Sequence, residues 1–184
     1  MPHWDEVYRQ KNMAKVTAAD VLLENLRLLP PTGKVLDYAC GLAGNGFLLA
    51  NKGYDVTAWD LSSIAVDKIN EKAKAEKLML RAEVKDLEAS TIKIQQMFDI
   101  IIVSYFLYRK SLRDLSDHLN PGGLLFYQTF SGKQLNGVGP SKAAFRLRRG
   151  ELLDVYSDMQ LLYYREDNSQ SDCKPDQVCF VAMK

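Results

Sequence analysis

The stretch 35–46, continued by residues 53–60, constrains the fold of this chain more than any other. An apolar run leads into a loop of small residues, a short helical segment follows, and a second apolar run ends in Asp60. In α/β proteins this order forms a pocket for a nucleotide-like ligand. The backbone approaches the ligand at the small residues, and a carboxylate further on binds ribose hydroxyls. We therefore expect a binding pocket at this loop.

Five apolar runs that alternate with helical segments predict the parallel strands of one sheet. We expect strands at Lys34–Tyr38, Asp55–Asp60, 78–84, Phe98–Ser104 and 124–130. The fourth is the clearest, because its nearly continuous run of β-branched residues is typical of a central strand that is buried on both faces. Residues 88–96 show no pattern that predicts an element.

Helical periodicity is expected between and before these strands. Trp4 and Tyr8 lie on one face of a first short helix, and residues 17–20 resemble a capping box that would open a helix through Leu29. Further helices are expected at 44–52, after Ser62 or Ser63, and at 112–119, where Asn120, Pro121 and two glycines would end the last one.

The pattern changes after the fifth strand. Residues 131–140 are rich in glycine and predict a mobile loop, and the basic segment 146–149 leads into a short helix at 150–156. Strands are expected at 159–166 and Gln177–Met183, and they should pair antiparallel, because no crossover helix fits between them.

The predicted fold class is α/β: a doubly wound, mostly parallel seven-stranded sheet with an antiparallel last strand and helices on both faces. We expect one domain over residues 1–184. Within it, 1–30 form a helical lid, 34–130 a cofactor-binding core, and 131–184 a substrate loop with the closing antiparallel strands.

Composition excludes several classes of function. The 184 residues carry 24 basic and 23 acidic side chains, a net charge of +1, which disfavours nucleic acid as a partner. The amino terminus does not look like a signal peptide, and the longest apolar run is too short to span a bilayer, so we expect no membrane partner. Three cysteines are too few for a disulfide framework, although Cys173 and Cys179 could meet across a hairpin. We expect reduced thiols, a cytoplasmic protein and no metal site.

Asp37 discriminates between the ligands that the glycine loop could hold. The loop reads G-x-x-G-x-G from Gly41 and is not the G-x-G-x-x-G of a dinucleotide site. A carboxylate four residues before Gly41 would repel a pyrophosphate but would suit a ligand that carries an ammonium and a sulfonium group. The sequence therefore favours S-adenosylmethionine over a dinucleotide.

With these residues in view, the chain resembles the class I S-adenosylmethionine-dependent methyltransferases and is similar to the tellurite-resistance type among them. The resemblance covers about residues 34–130 and is carried by 35–41, 53–60, Asp86 with Leu87, 98–101 and 120–123. The closer similarity to the tellurite-resistance type is carried by residues 53–60, residues 145–152 and the two last strands.

The resemblance implies a role for residues at four strand ends. Asp37 and the turn 39–43 would face the methionine part of the cofactor, and Asp60 would accept both ribose hydroxyls. Leu61 would pack on adenine, with Asp86 accepting its amino group. The implied cofactor-binding residues are Asp37, Ala39, Cys40, Gly41, Asn45, Asp60, Leu61, Asp86, Leu87, Ser104 and Tyr105. One departure is that Ala39 and Ala43 stand where the family has glycines.

The methyl acceptor is expected beyond the fourth strand, and no catalytic residue is assigned. The candidates are Tyr105, Tyr108 and Arg146. The rings of Tyr105, Phe106 and Tyr108 could face the sulfonium or pack in the core. Trp4 and Tyr8 could close over the cofactor. The guanidinium groups of Arg109, Arg146, Arg148 and Arg149 could hold an anionic acceptor or be solvated. Cys40 is interpreted as a small loop residue, and His3 and His118 as surface residues.

The leading hypothesis is a methyltransferase acting on a small molecule, since few residues remain for a large acceptor. Its acceptor would be an oxyanion such as tellurite or selenite, or a small thiol or amine. A non-catalytic module that binds S-adenosylmethionine is the alternative, and a nucleotide-dependent oxidoreductase is disfavoured by Asp37 and by the closing strand pair. The acceptor atom, regulation and the choice between monomer and dimer stay open.

Overall fold

A seven-stranded sheet with the order β3-β2-β1-β4-β5-β7-β6 forms the centre of the chain. The computed structural model describes residues 4–89, 96–135, 137–166 and 176–184. The strands are β1 Lys34–Tyr38, β2 Asp55–Asp60, β3 Leu80–Val84, β4 Phe98–Ser104, β5 Leu119–Phe130, β6 Gln160–Glu166 and β7 Gln177–Met183. This is the expected α/β sheet, and β1, next to the point where the strand order reverses, carries the glycine loop at its carboxyl end.

The direction of the strands also agrees with the prediction. The first five strands pair parallel, with β1 between β2 and β4. The last strand in the chain, β7, pairs antiparallel with β5 and with β6. Because β1 to β5 run parallel, their carboxyl ends lie along one rim of the sheet.

Two apolar clusters cover the two faces of the sheet, and alternation along β4 shows why. Ile100 and Ile102 point into one cluster, while Ile101 and Val103 point into the other, and all four are fully buried. The helices are α1 Trp4–Gln10, α2 Asp20–Leu23, α3 Gly44–Asn51, α4 Ser63–Ala75, α5 Asp114–Asp117 and α6 Glu151–Val155. The first cluster includes side chains of α2, α3 and α4, and the second those of α5 and α6.

The predicted helix from the capping box to Leu29 is wrong. Helix α2 has four residues, and a separate 3₁₀ turn covers Leu26–Leu28. Its N-cap is Ala19, which makes no side-chain cap bond. The backbone N–H of Val21 donates instead to the side chain of Gln128, 107 residues away. A tertiary contact has replaced the local cap, which no local pattern could have shown.

The helix predicted at 112–119 is also shorter, and the fifth strand is longer than expected. Strand β5 begins at Leu119, which pairs with Phe98, and it runs through Pro121, Gly122 and Gly123. Gly122 has a φ of 79°, and its N–H donates to the carbonyl oxygen of Lys184. The turn residues that predicted a helix stop therefore form a bent start to the strand, held by pairing with the chain's last residues.

Smaller differences affect element ends, which sequence patterns locate least well. Strand β3 starts at Leu80 and β6 at Gln160, each later than expected. Most of the ambiguous segment 88–96 and the stretch 167–175 lie outside the described residues. Among the described residues, no helix is long and apolar enough to cross a membrane. The division into lid, core and closing segment stays a prediction.

Candidate functional site

The loop between β1 and α3 turns through three left-handed residues. Ala39, Gly41 and Ala43 have φ values of 55°, 57° and 54°. The Cys40 N–H donates to the Trp59 carbonyl oxygen at 2.9 Å, which ties the loop to the end of β2. An L-residue in this conformation costs about 1–2 kcal/mol, because Cβ crowds the following carbonyl oxygen. Both alanines thus adopt the conformation that suits the glycines of the family.

Gly41 lies close to another segment of the chain. A Cβ added at this position would lie 3.0 Å from the Tyr8 hydroxyl oxygen. Tyr8 belongs to α1 and is buried, so its ring covers the loop. Burial, together with the nearby Asp60 carboxylate, raises the pKa of Tyr8, which keeps the phenol protonated. Glycine fits here because both its φ and the close approach exclude a side chain.

Asp60 joins this loop to the end of β2. Its Oδ2 accepts the Gly41 N–H at 2.8 Å, and its Oδ1 accepts the Ser62 N–H at 2.9 Å. Burial raises the pKa of this carboxyl, and Asp5 adds to the rise, while the backbone N–H bonds oppose it. These backbone bonds hold the carboxylate in place, and its remaining acceptor capacity faces the position of a diol.

Asp37 lies below the loop rather than at its surface. The residue is fully buried, with its Oδ2 accepting the Gly46 N–H at 2.9 Å and its Oδ1 accepting from Asn45 Nδ2 at 3.3 Å. Burial raises its pKa to about 7. The expectation that Asp37 faces the cofactor directly does not agree with this placement. The carboxyl instead holds the first turn of α3, and it reaches the site through Asn45.

Asn45 connects three segments around the loop. Its Nδ2 donates to Ser104 Oγ at 3.2 Å as well as to Asp37, and its Oδ1 accepts the Ala19 N–H at 2.8 Å. The end of β4 and the start of α2 are therefore fixed against the first turn of α3. Sequence reasoning selected Asn45 and Ser104 separately, and the structure brings them together.

The rim next to Asp60 offers an apolar surface and a carboxylate. Leu61 is 53% exposed, a high value for a leucine that follows a buried strand. The Lys85 N–H donates to the Asp60 carbonyl oxygen at 2.8 Å, which places the exposed Asp86 along the same rim. Leu87 is buried beneath it. A purine with an exocyclic amino group requires an apolar side chain beside a hydrogen-bond acceptor, so these residues fit S-adenosylmethionine.

Helix α1 is held over this part of the site from both of its ends. Asp5 accepts from Ser62 Oγ at 2.5 Å, while Lys68 Nζ donates to the carbonyl oxygens of Tyr8, Arg9 and Lys11 at 2.7–3.1 Å. The rings of Trp4 and Tyr8 stack with centroids 5.9 Å apart. Tyr8 therefore lies against the loop, while Trp4 is 43% exposed outside it, and closure of the two rings over a cofactor stays a prediction.

Tyr105 follows β4 at the opposite end of the rim. It has a φ of 56° and its side chain is 46% exposed, yet its hydroxyl group is hydrogen-bonded. The hydroxyl accepts from Gln128 Nε2 at 3.0 Å and donates to Gln177 Oε1 at 3.3 Å. Its ring packs on Phe130 with centroids 5.6 Å apart. Gln128 and Gln177 were missed by sequence reasoning, although a glutamine within the apolar run of β5 was a signal.

The side chain of Arg146 is not available to bind an anion. It is 2% exposed, and its guanidinium group donates to carbonyl oxygens of residues 131–133, 140 and 176 at 2.9–3.4 Å. It also pairs with the Asp176 carboxylate at 3.4 Å and stacks over Phe130. These partners occupy its donors, so Arg146 anchors the loop 131–140. The hypothesis of direct contact with an acceptor does not fit this geometry.

The guanidinium group of Arg109 is also hydrogen-bonded within the protein. Its Nε and one terminal nitrogen bind Glu151 at 2.8 and 3.1 Å, and its guanidinium group also donates to the Ala144 and Arg146 carbonyl oxygens. Burial would raise the pKa of Glu151, but these bonds outweigh it and lower that pKa. The side chain of Arg148, in contrast, is 76% exposed, and its Nε lies 3.7 Å from Glu151 Oε2. Arg148 and the exposed Arg149 therefore remain as cations that an acceptor could reach.

The remaining aromatic candidates and Cys40 pack or form hydrogen bonds within the protein. Tyr108 is half-buried, and its carbonyl oxygen accepts from Ser111 Oγ at 3.1 Å. Phe106 packs against the edge of Tyr38. Burial raises the pKa of the Cys40 thiol, which agrees with its interpretation as a small loop residue.

The remaining predictions concern thiols, histidines and metals. Cys179 is buried and unpaired, while His3 and Cys173 lie outside the described residues. His118, expected on the surface, is partly buried, and burial lowers its pKa. Within the described ranges, no cluster of three potential metal ligands occurs.

A cavity of about 520 Å³ lies at the other edge of the sheet, away from the strand ends described above. It is lined by residues that include Gly33, Met79 and Asp99. The Asp99 carboxylate already accepts the Lys34 N–H at 2.8 Å and the Asn120 side-chain amide at 2.7 Å. Because its carboxylate is satisfied and ligands of open α/β sheets bind at the carboxyl ends of strands, we assign no site to this cavity.

The model of the family described as "Tellurite resistance protein TehB" matches residues 3–181. The chain belongs to the TehB family. Two proteins from strains of Haemophilus influenzae, each named "Probable S-adenosyl-L-methionine-dependent methyltransferase TehB", are 31% identical to it over 142 residues. That match covers 73% of this chain and 48% of theirs. "Hemagglutinin 1" of Eikenella corrodens is 28% identical over 188 residues, which cover 96% of this chain and 61% of that protein. The chain thus spans about half of the length of the two Haemophilus influenzae proteins and about three fifths of the length of "Hemagglutinin 1".

Solved structures show the same fold as this TehB-family chain. TehB from Haemophilus influenzae superimposes with a TM-score of 0.78 at 24% identity, over 98% of this chain and 67% of that one. A TehB-like methyltransferase from Corynebacterium glutamicum gives 0.68 at 22% identity over the full length of both chains. The resemblance recognised in the sequence is therefore confirmed for the family and for the fold.

Proposed function

We propose that this TehB-family chain transfers the methyl group of S-adenosylmethionine to a small acceptor. The observation that carries the proposal is the Asp60 carboxylate, which the Gly41 and Ser62 N–H groups orient beside an exposed leucine. The arrangement suits a ribose followed by a purine. The names of the Haemophilus influenzae relatives support the same cofactor.

Each part of the cofactor has residues that would hold it. Asp60 would bind the ribose hydroxyls, and Leu61 and Asp86 would contact the adenine. The left-handed turn at 39–43 would lie along the methionine part, with Asn45 and Ser104 beyond it. When bound, S-adenosylmethionine supplies an electrophilic methyl group on a sulfonium sulfur.

The described residues of this rim support catalysis by positioning. The bound cofactor would supply its methyl carbon to the lone pair of the acceptor, and the electron pair of the carbon–sulfur bond that breaks would stay on sulfur. An acceptor that is already a nucleophile requires only alignment with that bond, which is the main contribution that a protein can make here. Tyr105 lies at the end of the rim where such an acceptor would enter.

The acceptor is proposed to be a small oxyanion, thiol or amine. An oxyanion such as tellurite agrees with the name of the family. The side chains of Arg109 and Arg146 are hydrogen-bonded to other parts of the protein. The negative charge of an oxyanion would therefore have to be neutralised by the exposed Arg148 and Arg149. A protonated amine would instead be attracted to the ring of Tyr105 by a cation–π interaction.

Calorimetric titration tests the cofactor assignment. We expect S-adenosylhomocysteine to bind, while NAD and NADP give no heat. Binding of NAD with no response to S-adenosylhomocysteine would instead support the oxidoreductase hypothesis.

Turnover of methyl-labelled S-adenosylmethionine separates an enzyme from a binding module. Sodium tellurite, sodium selenite, a thiol panel and an amine panel should be offered separately, and labelled product is expected with one class. If Arg148 and Arg149 hold an oxyanion, Arg148→Ala with Arg149→Ala should raise KM for that oxyanion and leave amine turnover unchanged. Binding of the cofactor without product from any panel would favour the non-catalytic alternative.

A further inference from the structure

The ammonium group of Lys68, in the middle of α4, binds the carboxyl end of α1. It donates to the carbonyl oxygens of Tyr8, Arg9 and Lys11 at 2.7, 3.1 and 3.1 Å. The last carbonyl oxygens of a helix have no partner within that helix, and the helix dipole makes this end negative. An ammonium group has three hydrogens, so the three carbonyl oxygens match its donors in number. Lys68 therefore holds α1 through charge and hydrogen bonds.

The other end of α1 is held at the start of α4. The Asp5 carboxylate accepts from Ser62 Oγ at 2.5 Å and from the Ile64 N–H at 3.4 Å. The N–H of the same Ser62 donates to the Asp60 carboxylate at 2.9 Å. The turn that orients Asp60 is therefore also the turn on which α1 rests.

Apolar packing attaches α1 to the rest of the chain only through a small cluster. Tyr8 is the one buried residue of this helix, and it packs with Leu42 and Ala65 in a cluster separate from the two that cover the sheet. A helix of seven residues is not stable by itself. Elements with few buried apolar contacts open at a lower free energy than the core does. We therefore expect α1 to detach while the sheet stays folded.

The ring of Tyr8 places α1 beside the carboxylate that carries the proposed function. A Cβ added at Gly41 would lie 3.0 Å from the Tyr8 hydroxyl oxygen, and the Gly41 N–H donates to Asp60 Oδ2 at 2.8 Å. The charge of Asp60 contributes to the raised pKa of Tyr8, so the phenol and the carboxylate are close enough to interact. A ligand held by Asp60 would lie next to the helix that Lys68 holds.

We propose that α1 is a detachable cover of the cofactor site and that Lys68 is its latch, which sets how fast the cofactor and its product are exchanged. The inference rests on the proposed function for the identity of the ligand. The three hydrogen bonds of Lys68 end on α1 and not on Asp60 or the turn 39–43, so they favour the closed position equally with and without a ligand. A weaker latch therefore raises the rate constants of association and dissociation by the same factor and leaves the dissociation constant unchanged.

The exchange kinetics of S-adenosylhomocysteine test the latch in the variant Lys68→Met, which keeps the aliphatic stem and removes the ammonium group. Surface plasmon resonance on the full chain gives both rate constants. We expect each to rise about five- to tenfold, the effect of losing roughly one net hydrogen bond to a charged group, with the dissociation constant within about twofold of that of the unaltered protein.

The matched control is Lys74→Met, the same substitution at an exposed lysine of the same helix, which should change neither rate constant. Unchanged rate constants in Lys68→Met would overturn the proposal. A larger dissociation constant without faster association would also overturn it, because that result is expected if Lys68 only supports the shape of the site.

Hydrogen exchange on the unaltered protein gives a second test that does not depend on the folding of a variant. The amide hydrogens of α1 should exchange together and faster than those of the central strand β4. Exchange of α1 at the rate of β4 would mean that the helix leaves only on global unfolding, which contradicts a detachable cover. If the unaltered protein does not bind S-adenosylhomocysteine, the proposed function fails, and the exchange rates still decide whether α1 detaches.

Discussion

The two ends of the rim are built in different ways. At the cofactor end, Asp60 binds the N–H groups of Gly41 and Ser62, which are 19 and 2 residues away in the chain. At the Tyr105 end, Gln128 joins Val21, 107 residues away, to Gln177, 49 residues away. The cofactor end depends on one local motif, whereas the Tyr105 end exists only after β5, β7 and α2 have packed.

The chemistry of the two ends differs accordingly. Carboxylates bound by backbone N–H groups dominate the cofactor end. Side-chain amides, aromatic rings and the buried guanidinium group of Arg146 form the other end. We infer that substitutions at the cofactor end reduce cofactor binding most. Substitutions at the Tyr105 end should instead affect folding stability and binding of the acceptor.

The largest effect on stability is expected at the Tyr105 end. Arg146→Met removes the partner of the buried Asp176 carboxylate and leaves several loop carbonyl oxygens without a donor. The free energy of unfolding in urea should fall by about 3–5 kcal/mol, as for other buried ion pairs that lose one member. Arg148→Met, whose side chain is 76% exposed, should change it by less than about 0.5 kcal/mol. Equal effects would show that Arg146 does not anchor the loop.

The largest effect on binding is expected at the cofactor end. Asp60→Ala removes the carboxylate proposed to accept two ribose hydroxyls, so affinity for S-adenosylhomocysteine should fall about a hundredfold in calorimetry. Asp55→Ala changes an exposed acid at the start of the same strand and serves as the control. Near-normal affinity in Asp60→Ala, with the variant folded, would disprove the assignment of the ribose site.

Asp37 should make stability depend on pH. Its pKa rises from 3.8 unfolded to about 7 in the fold, so the folded protein holds the extra proton between these values. The free energy of unfolding then falls as pH rises from 4 to 7, and Asp37→Asn should remove that fall. Relative to the unaltered protein, the variant should gain about 4 kcal/mol between pH 4 and pH 8 in urea unfolding. A difference that stays constant with pH would contradict the raised pKa.

The smallest effect concerns the strained turn of the cofactor end. Ala39→Gly relieves the left-handed conformation at a φ of 55°, and the greater flexibility of unfolded glycine offsets part of that gain. We expect an increase of about 0.5 kcal/mol in the free energy of unfolding. Ala75→Gly, in the exposed last residue of α4, should have the opposite sign. A loss of stability in Ala39→Gly would mean that packing of the Ala39 methyl group stabilises the fold by more than the left-handed conformation costs.

The same contrast explains which sequence predictions succeeded. The β-branched run Phe98–Ser104 predicted a central strand, because burial on both faces leaves a pattern within the strand itself. Asp60 was placed at a strand end by the apolar residues before it. In contrast, the capping box before Asp20 was contradicted, since Val21 found its acceptor in another part of the chain.

Arg146 shows the limit of such reasoning most clearly. In the sequence it is one of three arginines in four residues, a pattern typical of a solvated surface. In the structure it is buried, while its neighbours Arg148 and Arg149 are exposed. The difference lies in the carbonyl oxygens of the loop 131–140, which converge on one guanidinium group and not on the others.

The sequence by itself determined the order of strands and helices, the parallel sheet and the acids at its carboxyl rim, because apolar periodicity and turn residues act within a few positions. Only the tertiary structure decided which buried polar groups meet: Asp37 with Asn45, Gln128 with Tyr105, and Arg146 with Asp176. A buried donor or acceptor must find a partner, and packing supplies that partner from any segment it brings close.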